Sequence, residues 1–498
     1  MRFKTGFGSA ATVLWDTDWT PERKSQEARE LPSGLCVRLL PDMAKKRDDQ
    51  KVLEDLTLLL DWTLRHLDTW ARRDLHALRA NLPLLQAQQH LQAVENAVTA
   101  AVRPADTGGV APQKKTPAGK TKVITFNYKT GQQDVRKSTE FDHARFFADQ
   151  ARALKLGLRV LTTEGGRRDL QKDDVFKGLD PHWTIVDRVA SEWAEDSVEY
   201  LQSGEVAVLE QFSATALRAG LVAGRRARWA ALLDATYTND IFDPVGSKQW
   251  VPEGLLVVAG ETRQMVESAL EQQQRRARHL RFYAEGGNLI VGENAAGETI
   301  ALVGRDSIAA TAGEYLFVDD DPVLALIAED LGIAVQRVIP VEQPGKFHLD
   351  MGLLFVGKGV VLLNDSGAQL GAAETRLTNF PNDASRRHAA KLRLQCGLEA
   401  LAARDLAAAG LTVHRHKLES GSVYNFFNGE FVADENDQVH YLTNGTSTEA
   451  AMKSFVGLLV DELKVAVAVH TSPAGAAEHS LESQGGVGCR IKGAPGPR

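Results

Sequence analysis

The chain has 498 residues, too many for one typical packed core, and its 25% charged and 43% apolar content is that of an ordinary soluble globular protein. A net charge of −7 at pH 7 sets aside a general nucleic-acid binder, because phosphate contacts need a basic surface. Three cysteines (Cys36, Cys396, Cys489) make neither a disulfide framework nor a zinc spacing. With no signal-type apolar segment and no membrane-length apolar run, a cytoplasmic protein without membrane contact is expected.

From Lys51 the chain reads as amphipathic helices, with Val52, Leu56, Leu59, Leu60, Leu64 and Leu67 tracing one face. Residues 1–102 are therefore expected to form a helical N-terminal module, offering a surface to a partner protein or to a second copy. The stretch RPADTGGVAPQKKTPAGKTK has no apolar period, and 103–122 reads as a flexible linker. From 123 to 498 strands and helices alternate, which predicts an α/β domain. KVITFNY predicts a strand, followed by a helix over Thr139–Leu156 and the strand LRVLTT. The acid-Gly-Gly at Glu164 reads as a surface turn. The strand EVAVLEQF comes next, then a helix over ATALRAGLVAGRRARWAALL and the strand GLLVVAG. A helix is expected over Thr262–Leu280, and the basic runs GRRARW and RRARHLRF read as solvated faces. Further on come NLIVGEN, TIALVG, a helix over Asp321–Leu331, VQRVIPV and the paired strands of GKFHLDMGLLFVGKGVVLL. A long helix over Ser385–Ala409, the strand LTVHRHKL, strands near Phe426 and Phe431, and a helix from Thr448 complete the pattern. No dinucleotide or P-loop glycine fingerprint is present.

Four short stretches carry chemistry. In FHLDM, His348 and Asp350 stand two residues apart, which in a strand turns both to one face. Desolvating an imidazole and a carboxylate together is costly unless they are paired or have a task. In YAEGGN, Glu285 precedes two glycines that let the backbone turn tightly or approach a ligand. In SQGGVGCR, Cys489 follows three glycines in a loop whose backbone N–H groups could surround its sulfur and lower its pKa. In SEWAEDSVEY, Trp193 precedes Asp196, and an aromatic wall beside a carboxylate suits a flat cation such as guanidinium.

Together the order W-x-x-D, E-G-G-N, H-x-D and G-G-x-x-C resembles the guanidino-group-modifying enzymes, over roughly three-quarters of the chain. Asp196 and Glu285 lie 89 residues apart, and His348 and Cys489 lie 141 apart, as when each motif comes from a different repeat. SVYNFFNGEFVAD is similar to the family's Asn-Gly strand. WAEDSVEY, GNLIV and HLDMGLLFV are most similar to protein-arginine deiminases, and AEGGN to agmatine and arginine deiminases. Many agmatine deiminases carry His before the nucleophilic Cys, where this chain has Gly488.

The resemblance implies a pentein fold, a five-bladed α/β propeller of ββαβ-like units. It implies Cys489 as nucleophile, His348 as acid and base, Glu285 orienting His348, and Asp196, Asp350, Trp193 and Asn288 binding substrate. The activity implied is hydrolysis of an arginine guanidinium, in a peptide or protein, to citrulline and ammonia through a Cys-bound thiouronium intermediate. A small guanidine such as agmatine, or amidino transfer, is the alternative, and an effector or toxin an alternative setting. No metal or organic cofactor is required for that chemistry; calcium is used by some protein-arginine deiminases, but no ligand set for it stands out in this sequence.

Overall fold

The structure, a computed structural model, describes residues 105–129, 135–196, 198–210, 261–272, 275–314, 320–344, 348–417, 424–482 and 485–495. The chain divides into two units: Met1–Pro104 with Thr311–Leu326, and Ala105–Ala310 with Ile327–Arg498. The helical module expected over 1–102, the helix ATALRAGLVAGRRARWAALL and the strand GLLVVAG lie outside the described residues.

In the second unit five small sheets repeat one connectivity. β1 (Val123–Tyr128) leads through α1 (Val135–Leu154) to the parallel β2 (Gly157–Thr162), and α2 (Glu164–Gln171) leads on to β3 (His182–Ile185). β4 (Val198–Tyr200) pairs antiparallel with β5 (Val206–Glu210), which pairs parallel with β6 (Arg278–Tyr283) after α3 (Glu261–Gln272). The same order is followed by β7 (Leu289–Glu293), β8 (Thr299–Gly304), the crossover helices α4 (Arg305–Glu314) and α5 (Asp321–Leu331), and β9 (Val338–Val341). It recurs in β10 (Leu353–Gly357), β11 (Val360–Asp365), α6 (Gly367–Asn379), α7 (Asp383–Ala408) and β12 (Thr412–Lys417). A fifth copy comprises β13 (Glu430–Ala433), β14 (Val439–Thr443), α8 (Glu449–Gly457) and β15 (Ala468–Thr471). After α9 (Ala474–Glu482) and the short α10 (Val487–Arg490), β16 (Ile491–Ala494) returns to pair antiparallel with β1. Each sheet buries apolar side chains against its crossover, as Phe126 and Val160 do with Phe147, or Phe431 and Tyr441 with Phe455.

Several expectations need correction. Residues 105–122 are no free linker: Thr107 Oγ1 donates to the Asp330 carbonyl (2.6 Å), Gln113 N to the Tyr200 carbonyl (2.6 Å) and Lys115 N to the Val291 carbonyl (2.8 Å). Hydrogen bonds, rather than an apolar stripe, hold this stretch, which is why its composition reads as a linker. The turn expected at Glu164 is the helix α2, capped by the Thr163 hydroxyl accepting from Gly166 N (3.1 Å). The helix expected to reach Leu280 ends at Gln272, because Leu280 and Phe282 are buried on β6, which pairs with β5. Phe426 lies in the turn before β13, and His348 precedes a 3-10 turn over Leu349–Met351 rather than standing in a strand.

Candidate active site

The repeat places the chemistry. Asp196 stands two residues before β4, Glu285 four before β7, Asp350 three before β10 and Cys489 two before β16. Asn428, two before β13, completes the set. Each unit thus contributes one loop at the start of its first strand, and residues far apart in sequence meet.

His348 Nε2 lies 2.5 Å from Glu285 Oε2, and its Nδ1 lies 3.9 Å from Asp350 Oδ1. A ring nitrogen of His348, a carboxylate oxygen of Asp350 and Sγ of Cys489 all lie within 4.8 Å of one another. Asn428 bridges them: its Nδ2 donates to Asp350 Oδ2 (2.5 Å) and to Cys489 Sγ (3.2 Å), and its Oδ1 accepts from Cys489 N (3.2 Å). Asn444 fixes that bridge by donating to the carbonyls of Asn425 (2.7 Å) and Asn428 (3.0 Å) and accepting from Val487 N (2.8 Å).

Asp196 joins through the backbone, with Gly286 N donating to the Asp196 carbonyl (3.2 Å) and Glu195 N to the Cys489 carbonyl (3.1 Å). The glycines after Glu285 are required by close approach. A Cβ on Gly286 would collide with the Glu195 carbonyl, and one on Gly287 would stand 2.5 Å from His348 Nδ1. Gly488 is similarly hemmed in, since a Cβ there would lie 2.8 Å from Gly429 N and 3.0 Å from the Asn428 carbonyl carbon. A histidine at that position has no room in this backbone.

The groups that meet are all buried, at 8% exposure or less. Burial, and then the fields of Glu285 and Glu195, raise the Asp196 pKa well above the ordinary carboxylate value. Burial, and then Glu195, do the same to Asp350. Burial also raises the Cys489 thiol, reinforced by Asp350, Asp196 and Glu195 and only partly opposed by a backbone hydrogen bond from Gly486. The loop does offer the sulfur a backbone N–H, as its glycines suggest, but burial and then the carboxylates outweigh it, and the thiol pKa is raised rather than lowered. Asp196 Oδ1 and Asp350 Oδ1, both buried, find no hydrogen-bond donor among the described residues. Such orphaned acceptors are costly and point to a missing donor.

Two residues the sequence proposed for substrate contact have other neighbours. The Trp193 ring carries a guanidinium, but it is the protein's own: Arg490 Cζ lies 4.6 Å from the ring centroid, and Gly485 packs against the ring as well. Asn288 is fully buried with Oδ1 against Gly304, and its N donates to the Glu285 carbonyl (2.8 Å), so it shapes the turn that presents Glu285.

Two further residues carry no sequence signal of their own. Lys115 pairs with Glu195 and donates to the Gly286 carbonyl (2.8 Å), and Lys492 lies 3.9 Å from Glu195 and 2.6 Å from Glu199. Although burial opposes it, Glu195 is held below its ordinary pKa by Lys115 and Lys492. Among the described residues, His348, Asp350 and Cys489 are the group able to hold a metal ion. A thiolate and an imidazole suit a soft ion rather than calcium.

No protein-family model and no curated protein matches the chain. Among solved structures it is similar to an agmatine deiminase of C. jejuni, at 11% identity and TM-score 0.48 over 78% of this chain and 96% of that one. It is also similar to an agmatine deiminase of Enterococcus faecalis, at 12% identity and TM-score 0.46 over 79% and 98%.

Proposed function

We propose that the protein is a guanidine deiminase, hydrolysing a guanidinium to a ureido group and ammonia. The observation that carries this reading is the pair of buried carboxylate oxygens, on Asp196 and Asp350, without donors beside a thiol and an imidazole. A planar cation with several N–H donors supplies what those oxygens lack. We further read the five ββαβ sheets as the blades of a pentein propeller with this site at its centre; the repeated connectivity supports that arrangement.

In this reading the guanidinium displaces the protons held by Asp196 and Asp350 and lies flat between them. Its positive charge beside Sγ favours the thiolate, and the Cys489 proton passes to His348, so the thiolate forms in the complex rather than in the free enzyme. Sγ attacks the central carbon, and the tetrahedral adduct collapses as His348 protonates the departing nitrogen, which leaves as ammonia. His348 then takes a proton from water, which attacks the thiouronium carbon; Sγ departs and the ureido product is released. Glu285 holds His348 in place and favours its imidazolium form when it carries the proton. Asn428 keeps Sγ and Asp350 in register. Thiol, imidazole, carboxylates and water supply every step.

The burial of the whole group favours a small guanidine that can be enclosed, such as agmatine. Peptidyl-arginine is the second reading, carried by the local likeness of WAEDSVEY and HLDMGLLFV to protein-arginine deiminases. The test is incubation with agmatine, free arginine and benzoyl-arginine amide, with and without calcium, measuring ammonia and ureido product. Ammonia from agmatine is the expected result. Preference for the blocked amide moves the substrate to peptidyl-arginine, and amidine transfer to glycine moves the reaction to amidino transfer. No turnover of any guanidine overturns the proposal.

A further inference from the structure

A cavity of about 270 Å³ opens on one face of the first sheet, and Cys489, His348, Glu285, Asp196 and Asp350 are not among its lining residues. One row of the sheet supplies its polar side. Lys492 on β16 stands opposite Thr125 on β1, Thr125 opposite Arg159 on β2, and Arg159 opposite His182 on β3. Residues in register project to the same face, so three basic side chains form a single rung, and all four residues line the cavity. Arg275 adds a further cation to the lining, and among the described residues no Asp or Glu contributes to it.

The cations are not equally compensated. Lys492 has its ion pair with Glu199. Arg159 has no ion pair among the described residues; its guanidinium lies over the Tyr200 ring, 5.3 Å from the centroid, and is half-buried. The Tyr200 hydroxyl shares a 3.0 Å hydrogen bond with Thr125, which places two hydroxyls beside that guanidinium. The opposite wall is apolar, formed by Val198, Val206, Val266 and Leu270. A guanidinium substrate would be repelled by such a lining, so the cavity is not a route for the cation proposed above.

We infer that this cavity is a binding site for a small organic anion, a carboxylate or phosphate carrying an apolar body. Arg159 would take the anionic group as a bidentate partner, with one hydroxyl of the Thr125–Tyr200 pair donating from the side, and the valines and Leu270 would cover the apolar part. The inference does not depend on the deiminase reading. The site adjoins the catalytic loops: Ala194 in its wall is two residues from Asp196, and Lys492 is three from Cys489 and 3.9 Å from Glu195.

The probes are benzoate and phenyl phosphate, with benzamide as the neutral analogue and inorganic phosphate as the anion without an apolar body. Binding to the full chain is measured by titration calorimetry. Benzoate or phenyl phosphate should bind at least about tenfold more tightly than both benzamide and inorganic phosphate, and Arg159→Gln should remove that margin. His182→Gln, a change at an exposed position, should weaken the anions about threefold and leave the thermal transition in place. Equal binding of benzoate and benzamide, no measurable binding, or anion binding unchanged in both variants would overturn the inference.

Discussion

Lys115 is the sharpest point at which to test the structural reasoning. Its ammonium is largely buried against Glu195 and the Gly286 carbonyl, tying together the loops that carry Asp196 and Glu285. Burial works to lower its pKa, but Glu195, Glu199 and Asp350 outweigh burial and raise it. The stabilisation it gives is therefore fully present below the unfolded lysine value of about 10.4 and is lost only above it. Lys115→Met leaves Glu195 buried with Lys492 3.9 Å away as its remaining cation. Breaking a buried pair by deleting one partner costs about 3–5 kcal/mol, and the residual attraction of Lys492 places this case at about 3 kcal/mol. That is a large part of a total stability of about 5–15 kcal/mol. Replacing both partners removes the stranded charge, so Lys115→Met/Glu195→Gln should recover at least about half of the loss. Denaturant midpoints of wild type, both single variants and the double variant give the coupling, and guanidine KM should rise in Lys115→Met as the Asp196 loop loosens. A change of less than about 0.5 kcal/mol, the size of an ordinary surface substitution, would show that residues 105–122 are not docked as described.

Cys489→Ala and His348→Ala should each lower kcat by about four orders of magnitude or more with the circular dichroism spectrum unchanged; near-normal ureido production by Cys489→Ala would remove the nucleophile assignment. In inactive Cys489→Ala, Asp196→Asn and Asp350→Asn should each weaken guanidinium binding by about 1.5–3 kcal/mol, read by calorimetry. Because the folded pKa of both aspartates is raised, guanidinium binding should release protons and tighten with rising pH, while the ligand-free protein loses stability as pH rises from about 4 through those raised values; calorimetry in buffers of different ionisation enthalpy measures the release. A fragment starting at Ala105 should fold with native near-ultraviolet circular dichroism, whereas one starting at Lys122 lacks Lys115 and the strapping hydrogen bonds and should not.

Much of the site was legible because its chemistry is concentrated in loops with unusual composition. A carboxylate before paired glycines, an imidazole two residues from a carboxylate and a cysteine among glycines stand out against an apolar background. Glu285, His348, Asp350 and Cys489 were visible on that basis, and Asp196 only through the aromatic ring three residues before it. Glu195 was not, because beside Asp196 it reads as one more acid of an amphipathic turn. Lys115 was hidden more deeply. It lies in a stretch without apolar periodicity, and its partners are 80 and 171 residues away. Trp193 shows how such a motif is ambiguous, since an aromatic ring beside an acid attracts a guanidinium whether it belongs to a substrate or, as with Arg490, to the chain itself. The α/β alternation followed from strand and helix periodicity, but the start of β6 did not, because the apolar spacing around RHLRFY suits either period until its pairing with β5 decides.

The return of β16 to β1 has a consequence for the order in which the site is assembled. A chain emerging from the ribosome presents Asp196, Glu285, His348, Asp350 and Asn428, in that order, while Cys489 is still to be made. The carboxylates and the imidazole can gather first, as a cluster with no reactive sulfur in it. The nucleophile arrives when the edge of the first sheet receives its last strand, so docking of that strand and gain of reactivity are a single event. A thiol-directed label with a guanidine-like warhead would therefore report closure of β16 on β1, and would stay silent towards any chain in which that edge is open.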